Sequence, residues 1–150
     1  MVSKIRTLDE LEDRHGILCH GVFDLMHIGH IRHLQVARNL RLDYPLIVTI
    51  TADRFIRKGP GRPVFDAAVR AECLAALACV DYVAIIEEST GLSAIEMIRP
   101  NIYVKGAEYA GQGGIAEFER LAVEAHGGSM AYTDRWCSST SILERLHVAT

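Results

Sequence analysis

Short apolar runs rich in β-branched residues alternate with helical patterns along the chain, and this alternation constrains the fold more than any other feature. Each run is followed by a segment long enough to form a helix that crosses back over a sheet. Such crossovers join parallel strands and leave both faces of the sheet covered by helices. We therefore predict an α/β fold that is Rossmann-like and doubly wound, with a mostly parallel five-stranded sheet and helices on both faces. The predicted strands are 17–23, 46–51, 82–86, 102–104 and 129–133.

Helix signals lie before, between and after these strands. Asp66 is a suitable N-cap for a helix that reaches about residue 79. The helix predicted at 89–99 ends before Pro100, because the residue that precedes a proline disfavours the α conformation. The predicted helices are 8–14, 28–40, 66–79, 89–99, 115–125 and 139–147.

The composition limits the classes of function. The chain has 150 residues, 49% hydrophobic and 23% charged, which suits a single domain over residues 1–150, whether alone or cut from a longer polypeptide. A net charge of −3 offers no basic surface for nucleic acid. The sequence shows neither a signal peptide nor an apolar run that could span a membrane, so we expect a cytoplasmic protein without a membrane partner.

The cysteines form no C-x-x-C pair and predict buried thiols rather than disulfides or a zinc site: Cys19, Cys73, Cys79 and Cys137.

The segment Gly21-Val22-Phe23-Asp24-Leu25-Met26-His27-Ile28-Gly29-His30 carries the strongest chemical signal. It lies between the first strand and the first helix, where an open α/β sheet places its ligands. The imidazoles of His27 and His30 can face one point, and Gly29 lets a phosphate approach the backbone closely. The helix start adds partial positive charge and free N–H groups. This combination predicts a site for an α-phosphate that gains charge when it is attacked.

The same segment resembles the H-x-G-H signature of the cytidylyltransferase-like nucleotidyltransferases, and the resemblance extends over nearly the whole chain. It is similar to heptose-1-phosphate adenylyltransferase domains, to glycerol-3-phosphate cytidylyltransferases and to the cytidylyltransferase domain of the bifunctional enzyme in fosfomycin biosynthesis. Further landmarks of the family are Lys58-Gly59-Pro60-Gly61-Arg62-Pro63, Arg70, Val80-Asp81-Tyr82-Val83, Arg99-Pro100, Val104-Lys105-Gly106 and Cys137-Ser138-Ser139-Thr140.

This resemblance implies the roles of individual residues. The implied catalytic residues are His27, His30 and Lys58, and the implied acceptor-binding residues are Arg70, Asp24 and Arg135. Mg²⁺ is expected with the nucleoside triphosphate, and no residue is assigned as a metal ligand. The implied nucleotide-binding residues are Gly21, Val22, Phe23, Asp24, Gly29, Lys105, Gly106, Glu108, Ser138, Ser139 and Thr140.

The roles of residues at four places in the sequence stay open. Lys58 competes with Arg57 and Arg62 as the cation over the triphosphate, or is a solvated surface lysine. Arg70 is either a phosphate ligand or an exposed helix arginine. Ala107-Glu108 departs from the Gly-Gly-Asp or Gly-Asp-Asp of relatives, and Arg135 is slightly displaced from the arginine of glycerol-3-phosphate cytidylyltransferases.

The predicted activity is transfer of a nucleoside monophosphate to a small phosphate or phosphonate acceptor, with release of pyrophosphate. An ionised acceptor oxygen needs no strong base, so position and charge neutralisation suffice. We favour CTP, because Arg62-Pro63-Val64-Phe65 and Ala107-Glu108 depart from the heptose enzymes. The alternatives are a heptose-1-phosphate adenylyltransferase that uses ATP and an inactive nucleotide-binding regulatory domain. The expected partners are the triphosphate, the acceptor and a second copy in a homodimer.

Overall fold

The computed structural model describes residues 3–111, 113–134 and 144–146. Its strands are β1 (Ile17–Gly21), β2 (Leu46–Thr51), β3 (Tyr82–Ile86), β4 (Ile102–Gly106) and β5 (Ser129–Thr133). Its helices are α1 (Ile28–Leu40), α2 (Ala67–Ala75), α3 (Leu92–Ile98) and α4 (Ile115–Ala125), with short 3₁₀ turns at Asp9–Leu11, Asp53–Phe55 and Ala107–Tyr109.

The five strands form one sheet in the order β3-β2-β1-β4-β5, and every neighbouring pair is parallel. The chain builds the sheet outwards from β1 in one direction as far as β3. It then returns to the other side of β1 to add β4 and β5. This confirms the predicted α/β, doubly wound, five-stranded architecture and puts the topological switch between β1 and β4.

Two hydrophobic cores lie on the two faces of this sheet. Alternate residues of β1 point to opposite faces, as the pleat of a strand requires. Ile17 belongs to the core packed against α1 and α2, which contribute Leu34 and Leu74. Leu18 belongs to the core packed against α3 and α4, which contribute Ile95 and Val123. Helices therefore cover both faces, as predicted.

Some boundaries differ from prediction for identifiable reasons. Residues 8–14 were predicted to form a helix, but only a 3₁₀ turn forms there, at Asp9–Leu11. β1 ends at Gly21 because Phe23 adopts a positive φ, and β4 extends to Gly106. α3 begins only at Leu92, after a turn in which the N–H of Ser93 donates to the Glu88 carboxylate.

The predicted start of α2 is confirmed, but its predicted end is not. Asp66 caps α2 as predicted and accepts from the N–H of Val69 at 2.9 Å, but α2 ends at Ala75 rather than near residue 79. Of the predicted helix 139–147, only 144–146 lie among the described residues, and these are helical.

Two further observations concern surface and thiols. In the part of the chain that the structure describes, no helix is both long and apolar enough to cross a membrane. Cys19 is a buried free thiol, as predicted, whereas Cys73 and Cys79 are free but only half-buried. Cys137 lies outside the described residues.

Candidate active site

Two segments meet at the carboxyl edge of the sheet, where the chain leaves β1 and β4. The two strands are hydrogen-bonded neighbours, yet α1 and α4, the helices that follow them, pack on opposite faces. The connections therefore diverge and leave a crevice, which is where open α/β sheets bind ligands. Residues 22–27 line one side of this switch point and residues 105–109 the other.

His27 and His30 lie side by side at the start of α1. His27 is the N-cap, and its Nδ1 accepts a hydrogen bond from the N–H of Gly29 at 3.1 Å. The N–H of His27 donates to Nδ1 of His30 at 3.3 Å, and the rings stack with centroids 3.8 Å apart. A backbone N–H can only donate, so both Nδ1 atoms are acceptors. The neutral rings therefore carry their protons on Nε2, and each has an Nε2–H donor.

Both imidazoles are neutral at neutral pH. Burial, followed by the nearby His27, His33 and Lys58, lowers the pKa of His30 to about 3. Burial also lowers the pKa of His27. Two N–H donors at the positively polarised start of a helix suit a phosphoryl oxygen that gains negative charge in a transition state.

The turn between β1 and α1 has a strained backbone. Gly21 ends β1, and Phe23 and Leu25 then adopt φ angles of 51° and 53° on either side of Asp24. Left-handed backbone costs a non-glycine residue about 1–2 kcal/mol. The buried ring of Phe23 lies 5.2 Å from that of His30, centroid to centroid. Such strain persists only where surrounding contacts determine the conformation, and it is common at functional sites.

Asp24 supplies those contacts by fastening the basic loop 57–65 to the turn. Its buried carboxylate accepts hydrogen bonds from Arg62 Nε at 3.0 Å and from the N–H groups of Val64 and Phe65 at 2.7 and 3.0 Å. Burial alone would raise the pKa of Asp24, but these backbone hydrogen bonds and the Arg62 guanidinium outweigh it and lower the pKa. The structure thus gives Asp24 a positioning role in the loop, and direct contact of Asp24 with nucleotide or acceptor stays a prediction.

Lys58 lies on the same loop and close to the histidines. Its ammonium is near enough to contribute to the lowered pKa of His30. Burial and the neighbouring Arg62 lower the pKa of Lys58 itself, while Asp24 opposes the change. The residue keeps an exposed surface. A role for Lys58 over the triphosphate stays a prediction.

Arg70, which the sequence left open as a phosphate ligand or an exposed helix arginine, is surrounded by other parts of the protein. It is buried, with its Nε donating to the carbonyl of Phe65 and Nη1 to that of Val22. Its Nη2 donates to the carbonyl of Thr51 and to the carboxylate of Asp53. The guanidinium therefore ties the ends of β1 and β2 to the basic loop. This burial excludes the alternative of an exposed helix arginine, and a role of Arg70 in binding the acceptor phosphate stays a prediction.

Three of the predicted nucleotide-binding residues lie at or just after the end of β4: Lys105, Gly106 and Glu108. The Glu108 carboxylate folds back over Gly106, so a side chain at position 106 would displace the end of the Glu108 side chain. Burial lowers the pKa of His33 to about 4, with Glu108 opposing the shift and Lys105 reinforcing it. His33 Nδ1 lies 2.5 Å from the hydroxyl of Thr133 on β5. The hydrogen bond links α1 to β5, and the electrostatic effects of Glu108 and Lys105 on His33 indicate that the 105–108 segment lies near α1.

A buried carboxylate that the sequence analysis missed lies behind this segment. Glu119 accepts hydrogen bonds from the Tyr103 hydroxyl at 2.8 Å and the N–H of Gly91 at 2.9 Å, and it pairs with Lys105 Nζ at 3.1 Å. The sequence did contain a signal for this buried carboxylate, because Glu119 lies four positions before Val123 and so shares the buried face of α4. An open cavity of about 310 Å³ lies beside it, lined by Ser89, Lys105, Tyr109, Gly113, Ile115, Ala116 and Glu119.

Four of the predicted site residues lie outside the described residues: Arg135, Ser138, Ser139 and Thr140. Within the described ranges, no group of three or more His, Cys, Asp or Glu side chains could hold a metal ion.

The chain is similar to known proteins over most of its length. The model of a family described as cytidylyltransferase-like matches residues 18–145. The bifunctional protein HldE of Syntrophotalea carbinolica is 39% identical over 151 residues, which cover 96% of this chain and 30% of the relative. HldE of Campylobacter fetus is 43% identical over 116 residues, which cover 73% of this chain and 25% of the relative. The chain thus spans about a third or less of the length of these relatives.

Solved structures share the fold. A lipopolysaccharide core biosynthesis protein from Thermoplasma volcanium superposes with a TM-score of 0.62 at 24% identity, covering 82% of this chain and 97% of that one. Pantoate-beta-alanine ligase from Francisella tularensis superposes with a TM-score of 0.59 at 13% identity, covering 93% of this chain and 69% of that one. At these identities the likeness concerns the architecture alone.

Proposed function

Because the chain belongs to the cytidylyltransferase-like family of nucleotidyltransferases, we propose that it transfers a nucleoside monophosphate from a triphosphate to a small phosphorylated acceptor. The observation that carries the proposal is the stacked pair His27 and His30, two neutral rings whose Nδ1 atoms accept from the backbone. Both therefore have an Nε2–H donor at the switch point of the sheet. That arrangement suits the developing charge on an α-phosphate.

The proposed donor is ATP and the proposed acceptor is a heptose 1-phosphate. CTP was the nucleotide favoured from the sequence, on the departures at 62–65 and at Ala107-Glu108. The matches to HldE proteins, at 39% and 43% identity, instead support the alternative of a heptose-1-phosphate adenylyltransferase. The cavity of about 310 Å³ beside Lys105 is at the small end of the range for small-molecule sites, and we assign the base to it.

In the proposed reaction, a phosphate oxygen of the acceptor attacks the α-phosphorus in line with the bond to the β-phosphate. The new P–O bond forms as the old one breaks, and pyrophosphate leaves with the electron pair. No strong base is needed, since the acceptor oxygen is already ionised. His27 and His30 donate to an α-phosphate oxygen, and Lys58 neutralises charge on the leaving pyrophosphate. Ser139 and Thr140 are proposed to bind the β- and γ-phosphates.

Mg²⁺ fits this proposal only as an ion that arrives with the nucleotide. The described residues build no metal site, and the Asp24 carboxylate already accepts hydrogen bonds from three N–H groups. When bound, the ion would neutralise charge on the triphosphate oxygens. The chain's own residues then position the phosphates and stabilise the α-phosphate.

A direct test measures pyrophosphate release with ATP, CTP, GTP or UTP against heptose 1-phosphate, glycerol 3-phosphate and 2-hydroxyethylphosphonate. We expect release with ATP and heptose 1-phosphate, and the adenylylated sugar in the product by mass spectrometry. Release with CTP and not ATP would restore the cytidylyl hypothesis. Tight ATP binding without release from any acceptor would favour the regulatory-domain alternative.

A further inference from the structure

Arg62 is buried but only partly engaged by the protein. Its side chain is 7% exposed, and its Nε donates to Oδ2 of Asp24 at 3.0 Å. Its Nη2 is shielded from solvent and finds no hydrogen-bond acceptor within the described ranges. Arg70, the other buried arginine of this region, has protein acceptors for Nε, Nη1 and Nη2. A buried charged donor without an acceptor is costly, so its retention calls for a ligand.

The surroundings of Arg62 indicate the chemistry of that ligand. The guanidinium is close enough to Lys58 to lower the pKa of that lysine, and Lys58 in turn is close to His30. Asp24, the counter-ion of Arg62, lies in the same turn as the histidines. Arg62 therefore belongs to a group of cations and N–H donors around one crevice, and such a group attracts an anion.

We propose that Arg62 is a phosphate ligand of this site, held ready by Asp24. With Nε fixed by the carboxylate, Nη2 donates to an oxygen of a phosphate group, either of the triphosphate or of the acceptor. A guanidinium suits this task because its donors form a rigid planar fork, so that the bond from Nε to Asp24 fixes the direction of the other donors. The assignment rests on the proposed function, because that function supplies the phosphates.

The competing explanation is that Arg62 only fastens the loop to Asp24. Arg62→Lys separates the two roles, because lysine keeps a positive charge near Asp24 but loses the second arm of the fork. Arg62→Met removes both. Arg54→Met is the matched control, since Arg54 is an exposed arginine that pairs with Glu87 outside the crevice.

The experiment titrates each variant calorimetrically with pyrophosphate, ATP and a sugar 1-phosphate, and records Tm with and without each ligand. We expect Arg62→Lys to weaken phosphate binding by about tenfold or more, to reduce the rise in Tm on ligand addition, and to leave the Tm of the free protein within a few degrees of wild type. Weaker binding of ATP and pyrophosphate alone assigns Arg62 to the triphosphate, and weaker binding of the sugar phosphate alone assigns it to the acceptor. Wild-type affinities for all three ligands in Arg62→Lys overturn the proposal, whatever its Tm.

Failure of this proposal is distinguishable from failure of the proposed function. Wild-type protein that releases pyrophosphate, together with Arg62 variants of normal affinity and turnover, removes the role of Arg62 alone. If the wild-type protein binds pyrophosphate through Arg62 but transfers no nucleotide, the proposed reaction is wrong and the role of Arg62 as a phosphate ligand stands.

Discussion

Lys105 Nζ lies 3.1 Å from Glu119 Oε2, in an ion pair that joins the end of β4 to α4. The Glu119 side chain is 2% exposed, and the same carboxylate accepts from Tyr103 and from the N–H of Gly91 before α3. One charged group thus connects three elements beside the cavity that we assign to the nucleobase. A buried pair of this kind adds little net stability compared with apolar residues, but the loss of one partner is costly.

We predict that Glu119→Ala lowers the free energy of unfolding by about 3–5 kcal/mol, because it leaves Lys105 and Tyr103 facing a buried gap without their acceptor. Urea denaturation followed by circular dichroism measures the change. Glu124→Ala is the matched control on α4, since Glu124 pairs with Arg120 at the surface, and it should cost about 1 kcal/mol or less. Equal losses in the two variants would contradict the importance of the buried contacts.

We predict that His27→Ala and His30→Ala each lower kcat by about 10²–10³-fold while the protein stays folded, with a lower Tm because each ring also accepts a backbone N–H at the start of α1. The reason is that a donor aimed at developing charge acts mainly in the transition state. Steady-state pyrophosphate release measures the effect. His126→Ala, which removes a histidine paired with Glu96 away from the crevice, should keep full activity. Full turnover by a folded His30→Ala protein would remove the central feature of the mechanism.

A third expectation concerns Lys58. An ammonium that neutralises the leaving pyrophosphate matters more in the transition state than in the ground state. Lys58→Ala should therefore lower kcat by about tenfold or more and change the Kd for ATP by less. Single-turnover kinetics and calorimetry on the same protein compare the two quantities, with Arg54→Ala as the exposed control. If Kd rises while kcat is unchanged, Lys58 contributes only ground-state binding.

Periodicity alone predicted much of the architecture. The bounds of α1, α4, β2, β3 and β5 agree with the sequence predictions, because long helical patterns and β-branched runs between turn residues are strong local signals. The H-x-G-H motif was likewise recognisable locally, since its residues lie within one turn and one helix start. The predicted homodimer stays a prediction.

The partners of buried charges could not be predicted in this way. Asp24 meets Arg62 across 38 residues, and Arg70 meets Val22 across 48. Periodicity indicates which face of an element is buried, but not which donor from another segment reaches it. Arg70 and Glu119 occupy apolar-patterned faces, and only the tertiary contacts show that each is satisfied there.

We predict that stability falls as the pH is lowered from 7 towards 5. Burial is the first cause that lowers the pKa of His20 and His33 to about 4 and of His30 to about 3, whereas these side chains titrate near 6.5 when unfolded. Between these values the unfolded chain binds protons that the folded protein does not, so stability is complete above pH 6.5 and is lost below it. Each histidine contributes at most about 1.4 kcal/mol per pH unit. Urea denaturation at pH 7, 6 and 5 measures the slope, and His33→Asn should flatten it. Equal stability at all three pH values would show that these histidines are accessible to protons.

The last prediction concerns Asp24 and the basic loop. Asp24→Asn keeps the size of the side chain but replaces one acceptor oxygen by an NH₂ group, which cannot accept from Arg62 Nε or from the N–H of Val64 or Phe65. A buried donor left without an acceptor costs about 1–3 kcal/mol, and loop 57–65 then opens more often than the sheet unfolds. We expect trypsin to cut after Lys58 several-fold faster in Asp24→Asn than in wild type under native conditions, with the site identified by mass spectrometry. Asp43→Asn, which alters an exposed aspartate paired with Arg41, is the control for a general effect of the substitution. A cleavage rate in Asp24→Asn equal to that of the control would show that the loop keeps its position without the Asp24 carboxylate.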